Sequence, residues 1–303
     1  MKRLIVLGAV LATGISVAAA FQQTAPAPMV IKVDKLKDNL YVMKGGGGNS
    51  AVFITAAGVT VVDTKLPGWG QPLLDTIKTV TNKPVTTIIN THAHFDHVSG
   101  NVEFPAKVEV ITHDNARTLM DQSNPVYGVQ TGQQPNLFKQ HGGHGMPTRT
   151  FKDTMTVGGG ADQIDLYYYG RAHTSGDTYV VFRALRVMHV GDTFPTRDMP
   201  IMDKNNGGTA VGFSATIAKA AATPNVDTII NGHNDTTTTP ADLKLYSEFV
   251  ADFVTFAQNA KKAGKSVDDV VRTWKTPAKY TGYAALNQMR VRSDAEVVFE
   301  ETK

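Results

Sequence analysis

Residues 90–100 read NTHAHFDHVSG, so His92, His94, Asp96 and His97 fall within six consecutive positions. Imidazole nitrogens and carboxylate oxygens are the usual donors to zinc and related divalent cations. The stretch VTTIIN just before them is apolar and β-branched, the composition of a buried strand. Where a chain is extended, residues two apart point the same way, so His92 and His94 project together toward one cation. The chain then turns, and the adjacent Asp96 and His97 face a second point nearby. A polar loop of surface histidines is the alternative, and it leaves four donors at the end of an apolar strand unexplained.

One cluster does not complete a site, because zinc takes about four ligands. Three further donors stand in the same relation to an apolar strand. His173 follows QIDLYYYG, Asp192 follows RVMHV, and His233 follows VDTIIN. A recurring order of buried strand and then ligand is what a site built at one edge of a sheet requires.

HAHFDH resembles the HxHxDH signature of the metallo-β-lactamase superfamily, and the later His, Asp and His come in that superfamily's order. The resemblance runs from about residue 30 to 250. It implies an α/β fold, the four-layer αβ/βα metallo-β-lactamase sandwich, with metals at one edge between two sheets. It also implies a division of ligands: His92, His94 and His173 on a first zinc, Asp96, His97 and His233 on a second, and Asp192 bridging. Two Zn2+ ions are thus the expected cofactors, with iron or manganese left open at one position. Di-iron relatives would carry an acid where His94 stands, which favours zinc hydrolysis. The expected chemistry is attack by a hydroxide held between the ions, with Asp96 as both ligand and proton acceptor.

Substrate choice is less determined. The stretch from HTSGDTYVVF to VGDTF resembles the exported zinc β-lactamases whose second site uses cysteine. Asp192 stands where those enzymes have that cysteine, and Pro195 where they have a lysine that grips the lactam carboxylate. Arg197 and Lys204 are the candidate substitutes. An aspartate bridge resembles instead the thioesterases, lactonases and phosphodiesterases of the superfamily. The reading is an exported hydrolase of a small ester, thioester, lactone or lactam. A β-lactamase proper and a metal-holding binding module without turnover are the alternatives.

The elements that must position these groups follow from pattern. VIKVDKLKDNLYVMKG reads as a hairpin, and AVFIT, VTVVD, VTTIIN and VEVIT as strands, with a helix in PGWGQPLLDTIKTVTN. DNARTLMDQ reads as a helix that Asp114 is placed to cap. Residues 124–148 read as a long loop, a candidate lid. MTV, QIDLYYYG, TYVVFRAL and RVMHVGD read as strands, and residues 193–208 as a loop. FSATIAKAAAT is then helical, VDTIIN a strand, and PADLKLYSEFVADFVTFAQNAKKAG a long helix with proline at its start. Two short helices and a final strand, AEVVFE, close the chain.

Lys2 and Arg3 precede the apolar run LIVLGAVLATGISVAAA, so residues 1–20 read as a signal peptide cut after Ala20, and residues 21–303 as one domain. A periplasmic or secreted location follows, with no membrane association after cleavage. Loss of Lys2 and Arg3 takes the net charge from +3 to +1, which with the absence of basic runs argues against a nucleic-acid partner. The chain has no cysteine, so neither a disulfide nor a thiol nucleophile is available. Nothing in the pattern fixes an oligomeric state.

Other residues have blander readings. His189 reads as a packed strand histidine, His113 as a cap or surface contact, and His141 and His144 as members of a glycine-rich surface loop. Gly45–Gly48 reads as a hairpin turn, since the lysine and helix start of a phosphate loop are missing. Asp63 reads equally as a residue steadying a histidine ligand or as a strand-end aspartate. Asp177 reads as fixing the turn after His173, Tyr167–Tyr169 as core packing, and Trp69 as lining the groove or packing at a helix start.

Overall fold

The computed structural model describes residues 29–233 and 237–303, so the leader assigned to residues 1–20 lies outside the described residues. Strands β1 (Lys32–Lys37), β2 (Leu40–Lys44), β3 (Ser50–Ile54), β4 (Val59–Val62), β5 (Val85–Ile89), β6 (Glu109–His113) and β7 (Arg149–Phe151) form a seven-stranded sheet in that order. Strands β8 (Thr154–Val157), β9 (Ile164–Tyr167), β10 (Tyr179–Phe182), β11 (Val187–His189) and β12 (Thr228–Ile230) form a five-stranded one. The helices are α1 (Gly70–Lys78), α2 (Phe95–Val98), α3 (Asp114–Gln122), α4 (Leu137–Gln140), α5 (Phe213–Ala221), α6 (Pro240–Lys262), α7 (Val267–Thr273) and α8 (Gln288–Glu301).

The two-residue period of a strand sorts the core into layers. Leu40 and Val42 of β2, Phe53 of β3, Val62 of β4 and Ile89 of β5 meet Leu166, Val180, Phe182 and Ile230 between the sheets. Their neighbours Met43, Val52, Val61 and Ile88 turn outward onto Leu73 and Ile77 of α1. On the far side, Val181, Met188 and Ile229 pack against α5 and α6 through Phe213, Ile217, Tyr246 and Phe253. The layers are therefore helix, sheet, sheet, helix. Burial on both faces explains why these strands read as near-continuous apolar runs.

Direction sets where the strands end. β4, β5, β6 and β7 run parallel to one another, and β11 is parallel to β12. β10 runs antiparallel to both β9 and β11, so β9, β11 and β12 finish at a common edge. Loops after parallel strands are where open α/β sheets build their sites.

Several local expectations need correction. AEVVFE is not a strand: Ala295–Glu300 lie inside α8. Val-Val-Phe favours a strand in isolation. Asn287 caps this helix by accepting from the Met289 and Arg290 amides, and Val291, Ala295 and Val298 bury one helical face. Asp114 is not the cap of α3; the His113 side chain accepts from Asn115 N instead. The segment 124–148 is not all loop, because Asn136 caps the short α4 by accepting from Lys139 N. TYVVFRAL stops being a strand at Phe182, where Arg183–Leu185 form a 3-10 turn. Proline does open α6, behind a reciprocal Thr239–Asp242 cap.

Candidate metal centre

β5 delivers the first four donors. After Ile89 the chain leaves the sheet, and Asp63, at the end of the neighbouring β4, accepts from Thr91 N at 2.8 Å and from Thr91 Oγ1 at 2.7 Å. His94 is the extended residue that starts α2, so His92 and His94 precede the helix while Asp96 and His97 lie within it. Asp192 sits in a 3-10 turn just past β11, and His233 three residues past β12. His173 follows β9 in a turn held by Asp177, which accepts from Thr174 Oγ1 at 2.6 Å, as expected for that aspartate.

The structure brings all seven expected donors together, as two groups: His92, His94, His173 and Asp192, and then Asp96, His97 and His233. The His94 Nδ1 and His173 Nε2 atoms are 3.0 Å apart, and the His97 and His233 Nε2 atoms 3.3 Å. Asp192 reaches both groups, with Oδ2 3.1 Å from His233 Nε2 and 3.9 Å from His173 Nε2, and Oδ1 3.3 Å from His97 Nε2. Asp96 Oδ2 lies 3.3 Å from His233 Nε2.

Four of these rings are held from behind. His97 Nδ1 meets Asp63 Oδ2 at 2.7 Å, His94 Nε2 meets Asp203 Oδ2 at 2.8 Å, and His173 Nδ1 meets the Ile201 carbonyl at 2.7 Å. His92 Nδ1 meets Thr91 Oγ1 at 2.9 Å. The Thr91 hydroxyl gives its only proton to Asp63, so it accepts from His92. Each outer nitrogen thus faces an acceptor, which turns a bare lone pair inward. His92 Nε2 is buried with no hydrogen-bond partner among the described residues. An orphaned imidazole nitrogen beside converging nitrogens and a carboxylate is the donor set a divalent cation satisfies, so the residues fit one. Asp63 takes the steadying role left open by its position in the sequence. Asp203, Thr91 and the Ile201 carbonyl were not legible as partners; each lies in an ordinary turn with no spacing to mark it.

Charge divides the groups. Burial and the neighbouring histidines push the His92 pKa well down, and burial with His94 takes His173 down to about 3. Burial also opposes a charge on His97, but Asp192, Asp96 and Asp63 overcome it and raise its pKa well above the usual value. Asp192 does the same for His233. In the metal-free protein these directions favour a proton on the second group, where a cation would bind, and disfavour one on His92 and His173. A bound cation must displace that proton, so binding weakens as pH falls. In a metal titration of the metal-free protein between pH 8 and 6, the second equivalent is expected to weaken by about tenfold per pH unit for each proton displaced. The first, with His92 and His173 held neutral, should change less steeply. Equal pH dependence of both would count against this division.

The hairpin turn closes over the second group. Gly48 N donates to the Asp96 carbonyl at 3.1 Å, and Asn49 N to Gly232 O at 2.6 Å. Gly47 has φ +108°, and a Cβ at Gly48 would lie 2.2 Å from His97 Cε1. Beneath it, the fully buried Lys65 donates to Met43 O at 2.5 Å and Gly48 O at 2.6 Å, and burial takes its pKa down to about 7. Gly48→Ala is expected to cost about 1–3 kcal/mol from overpacking, a fall of several degrees in Tm, and to lower activity by displacing His97. An unchanged thermal melt and rate would show that the loop yields without touching the ring.

The remaining residues settle elsewhere. His189 is buried with Nε2 3.1 Å from Asn49 O, a packed histidine as expected. His144 Nε2 pairs with Phe104 O at 2.8 Å, and neither it nor His141 joins the two donor groups. His113 also stacks on Tyr168 at 4.0 Å. Trp69 packs where a Cβ on Gly46 would stand and does not line the cavity beside the donors. Arg197 pairs with Asp242 at 2.8 Å, while Lys204 pairs with Glu300 and lies 4.2 Å from the Tyr127 ring centre. Neither cation faces the cavity. That cavity, of about 280 Å³, has His94, Asp96, Asp192 and His233 on one side and Phe95, Val126, Val129 and Ile201 among its other walls.

Comparison with known proteins agrees with this geometry. The family model described as "Metallo-beta-lactamase superfamily" matches residues 43–233. A metallo-β-lactamase type 2 of Elizabethkingia meningoseptica is 25% identical over 241 residues, covering 75% of this chain and 86% of that protein. The metallo-β-lactamase IND-1 of Chryseobacterium indologenes is 25% identical over 190 residues, covering 59% and 67%. Among solved structures, a metallo-β-lactamase from Pontibacter korlensis superposes with a TM-score of 0.59 at 17% identity, over 73% of this chain and 99% of that one. The inverting sec-alkylsulfatase Pisa1 from Pseudomonas sp. superposes with a TM-score of 0.65 at 15% identity, over 89% of this chain and 50% of that one.

Proposed function

The chain belongs to the metallo-β-lactamase superfamily and is a metal-dependent hydrolase of that family, and from that premise we propose an exported dinuclear zinc enzyme that cleaves a small ester, thioester, lactone or lactam. The observation that carries the reading is the pair of adjacent donor groups with Asp192 between them. His92, His94 and His173 are assigned to one ion, Asp96, His97 and His233 to the other, and Asp192 to both. When bound, such cations lower the pKa of water toward neutrality and act as Lewis acids on the bond under attack.

The chain's own groups do the rest. The Asp96 carboxylate is partly exposed to the cavity and is placed to take a proton from the attacking water and return it to the leaving group. Asp63, Thr91, Asp203 and the Ile201 carbonyl fix the rings, so no reorientation is needed during reaction. Phe95, Val126, Val129 and Ile201 give the cavity apolar walls that shed water from the reacting bond. Export rests on the leader at residues 1–20; among the described residues no helix is long and apolar enough to cross a membrane.

The names of the relatives favour a second reading, hydrolysis of β-lactams. Pro195 and the engaged Arg197 and Lys204 leave the usual lactam-carboxylate position without its cation, so the broader reading stands first. The test is the purified, zinc-loaded protein on chromogenic lactam, thioester, lactone and phosphodiester substrates, with and without chelator. Chelator-sensitive turnover of at least one carbonyl substrate is expected. Silence on all four with two zincs bound would replace the hydrolase by a metal-holding binding module.

A further inference from the structure

We propose that Arg290 is a specificity residue that recognises an anionic oxygen group, such as a carboxylate, on a substrate seated in the 280 Å³ cavity. The inference deepens the hydrolase reading and rests on it. Arg290 is the cation among the residues lining this cavity, which also holds Asp96, Asp192 and His233. It comes from α8, beyond residues 43–233 where the family model matches.

Its guanidinium is only partly engaged within the chain. Arg290 lies in the first turn of α8, where the helix dipole disfavours positive charge. Among the described residues only Nη1 is engaged, hydrogen-bonded to Met199 O at 3.3 Å and ion-paired with Asp198 Oδ2 at 3.6 Å. The edge of the guanidinium formed by Nε and Nη2 is left for a ligand, and its two parallel donors match a carboxylate's two oxygens.

The cation is also fixed relative to the donors. Downstream in α8, Asp294 Oδ1 accepts from Met202 N at 3.1 Å, and Glu301 Oε2 accepts from Thr209 Oγ1, Ala210 N and Val211 N, each at 2.9 Å. These contacts pin the segment that carries Ile201 and Asp203, the partners of His173 and His94. Arg290 and the two histidines are thus braced by one clasp. With Phe95, Val129 and Ile201 on the walls, the expected substrate has an apolar body, a hydrolysable bond near Asp96, and an anionic end toward α8.

The test uses matched pairs on the zinc-loaded full chain. One pair is unstrained amides, identical except that one ends in a carboxylate and the other in a neutral primary carboxamide. The other pair is the corresponding thioesters. Calorimetry on the amides and kinetics on the thioesters are run for wild type, Arg290→Ala and Arg290→Lys, with thermal melts to verify folding. In wild type the carboxylate is expected to improve amide affinity by at least about tenfold, and thioester kcat/KM similarly, mainly through KM. Arg290→Ala should collapse that preference toward unity, and Arg290→Lys should keep part of it. No preference in wild type, or a preference that survives in Arg290→Ala, overturns the assignment. Absent turnover with the amide preference intact overturns the hydrolase reading and leaves Arg290 as an anion site.

Discussion

Asp192→Ala is expected to leave the second metal equivalent unbound and to lower kcat/KM by about three orders of magnitude, roughly 4 kcal/mol of barrier, without unfolding the protein. The carboxylate stands 3.1 Å from His233, 3.3 Å from His97 and 3.9 Å from His173, so its loss weakens both groups together. It is also the leading cause of the raised His233 pKa, so it favours positive charge at that point. The turn around it is secured by other atoms. Thr193 Oγ1 donates to Val190 O at 2.7 Å, and Asn231 Nδ2 to Phe194 O at 3.2 Å, while among the described residues the Asp192 side chain meets the donor histidines rather than this turn. Asp192→Asn keeps the shape, which is needed because Gly232 packs so closely that a Cβ there would lie 1.9 Å from Oδ1. It is expected to lose most of the second metal as well, since the charge and not the volume does the holding. Elemental analysis after dialysis, a thermal melt and steady-state rates check all three parts. Two metals retained in Asp192→Ala with a rate within tenfold of wild type would remove Asp192 from between the ions.

The donors were legible because their signals are local. A two-residue spacing at the end of VTTIIN aims His92 and His94 together, and the later donors follow RVMHV and VDTIIN, strands whose burial on both faces shows in their composition. The partners behind the rings were not legible for the opposite reason. Asp203 meets His94 across 109 positions, and the Ile201 carbonyl meets His173 through a backbone atom that any residue would supply. Nothing about an isolated aspartate in a loop says which histidine it will face.

The last helix shows the limit of local reading most plainly. AEVVFE carries the composition of a strand, and only the longer frame from Asn287 through Val291 and Ala295 to Val298 reveals the helical period. The misreading had a functional consequence. Read as a strand, the segment offers no reason to look upstream for a cation over the cavity. Read as a helix packed on the core through Val291, Ala295 and Val298, it places Arg290 there. Pro195, Arg197 and Lys204 were the positions a sequence comparison directs attention to, and the two cations among them are engaged with Asp242 and Glu300.

Asp96→Asn separates two jobs that one carboxylate is expected to do. As a ligand, Asp96 would share a cation with His97 and His233; as a proton acceptor, it would have to reach the water that attacks the substrate. The substitution leaves the backbone role intact, because it is the Asp96 carbonyl that accepts from Gly48 N at 3.1 Å. An amide oxygen still binds a cation, more weakly, so added zinc is expected to refill the second position. It cannot take up a proton at neutral pH, so the rate should remain about 100- to 10,000-fold below wild type even at saturating zinc. The deficit should lie in kcat, since the cavity walls that hold the substrate are unaltered. Asp96→Glu, which restores a carboxylate at a shifted position, is expected to recover part of kcat at the same zinc occupancy. Full recovery of Asp96→Asn by zinc alone would mean that the carboxylate only holds the ion, and the proton would then need another acceptor among the residues that face the cavity.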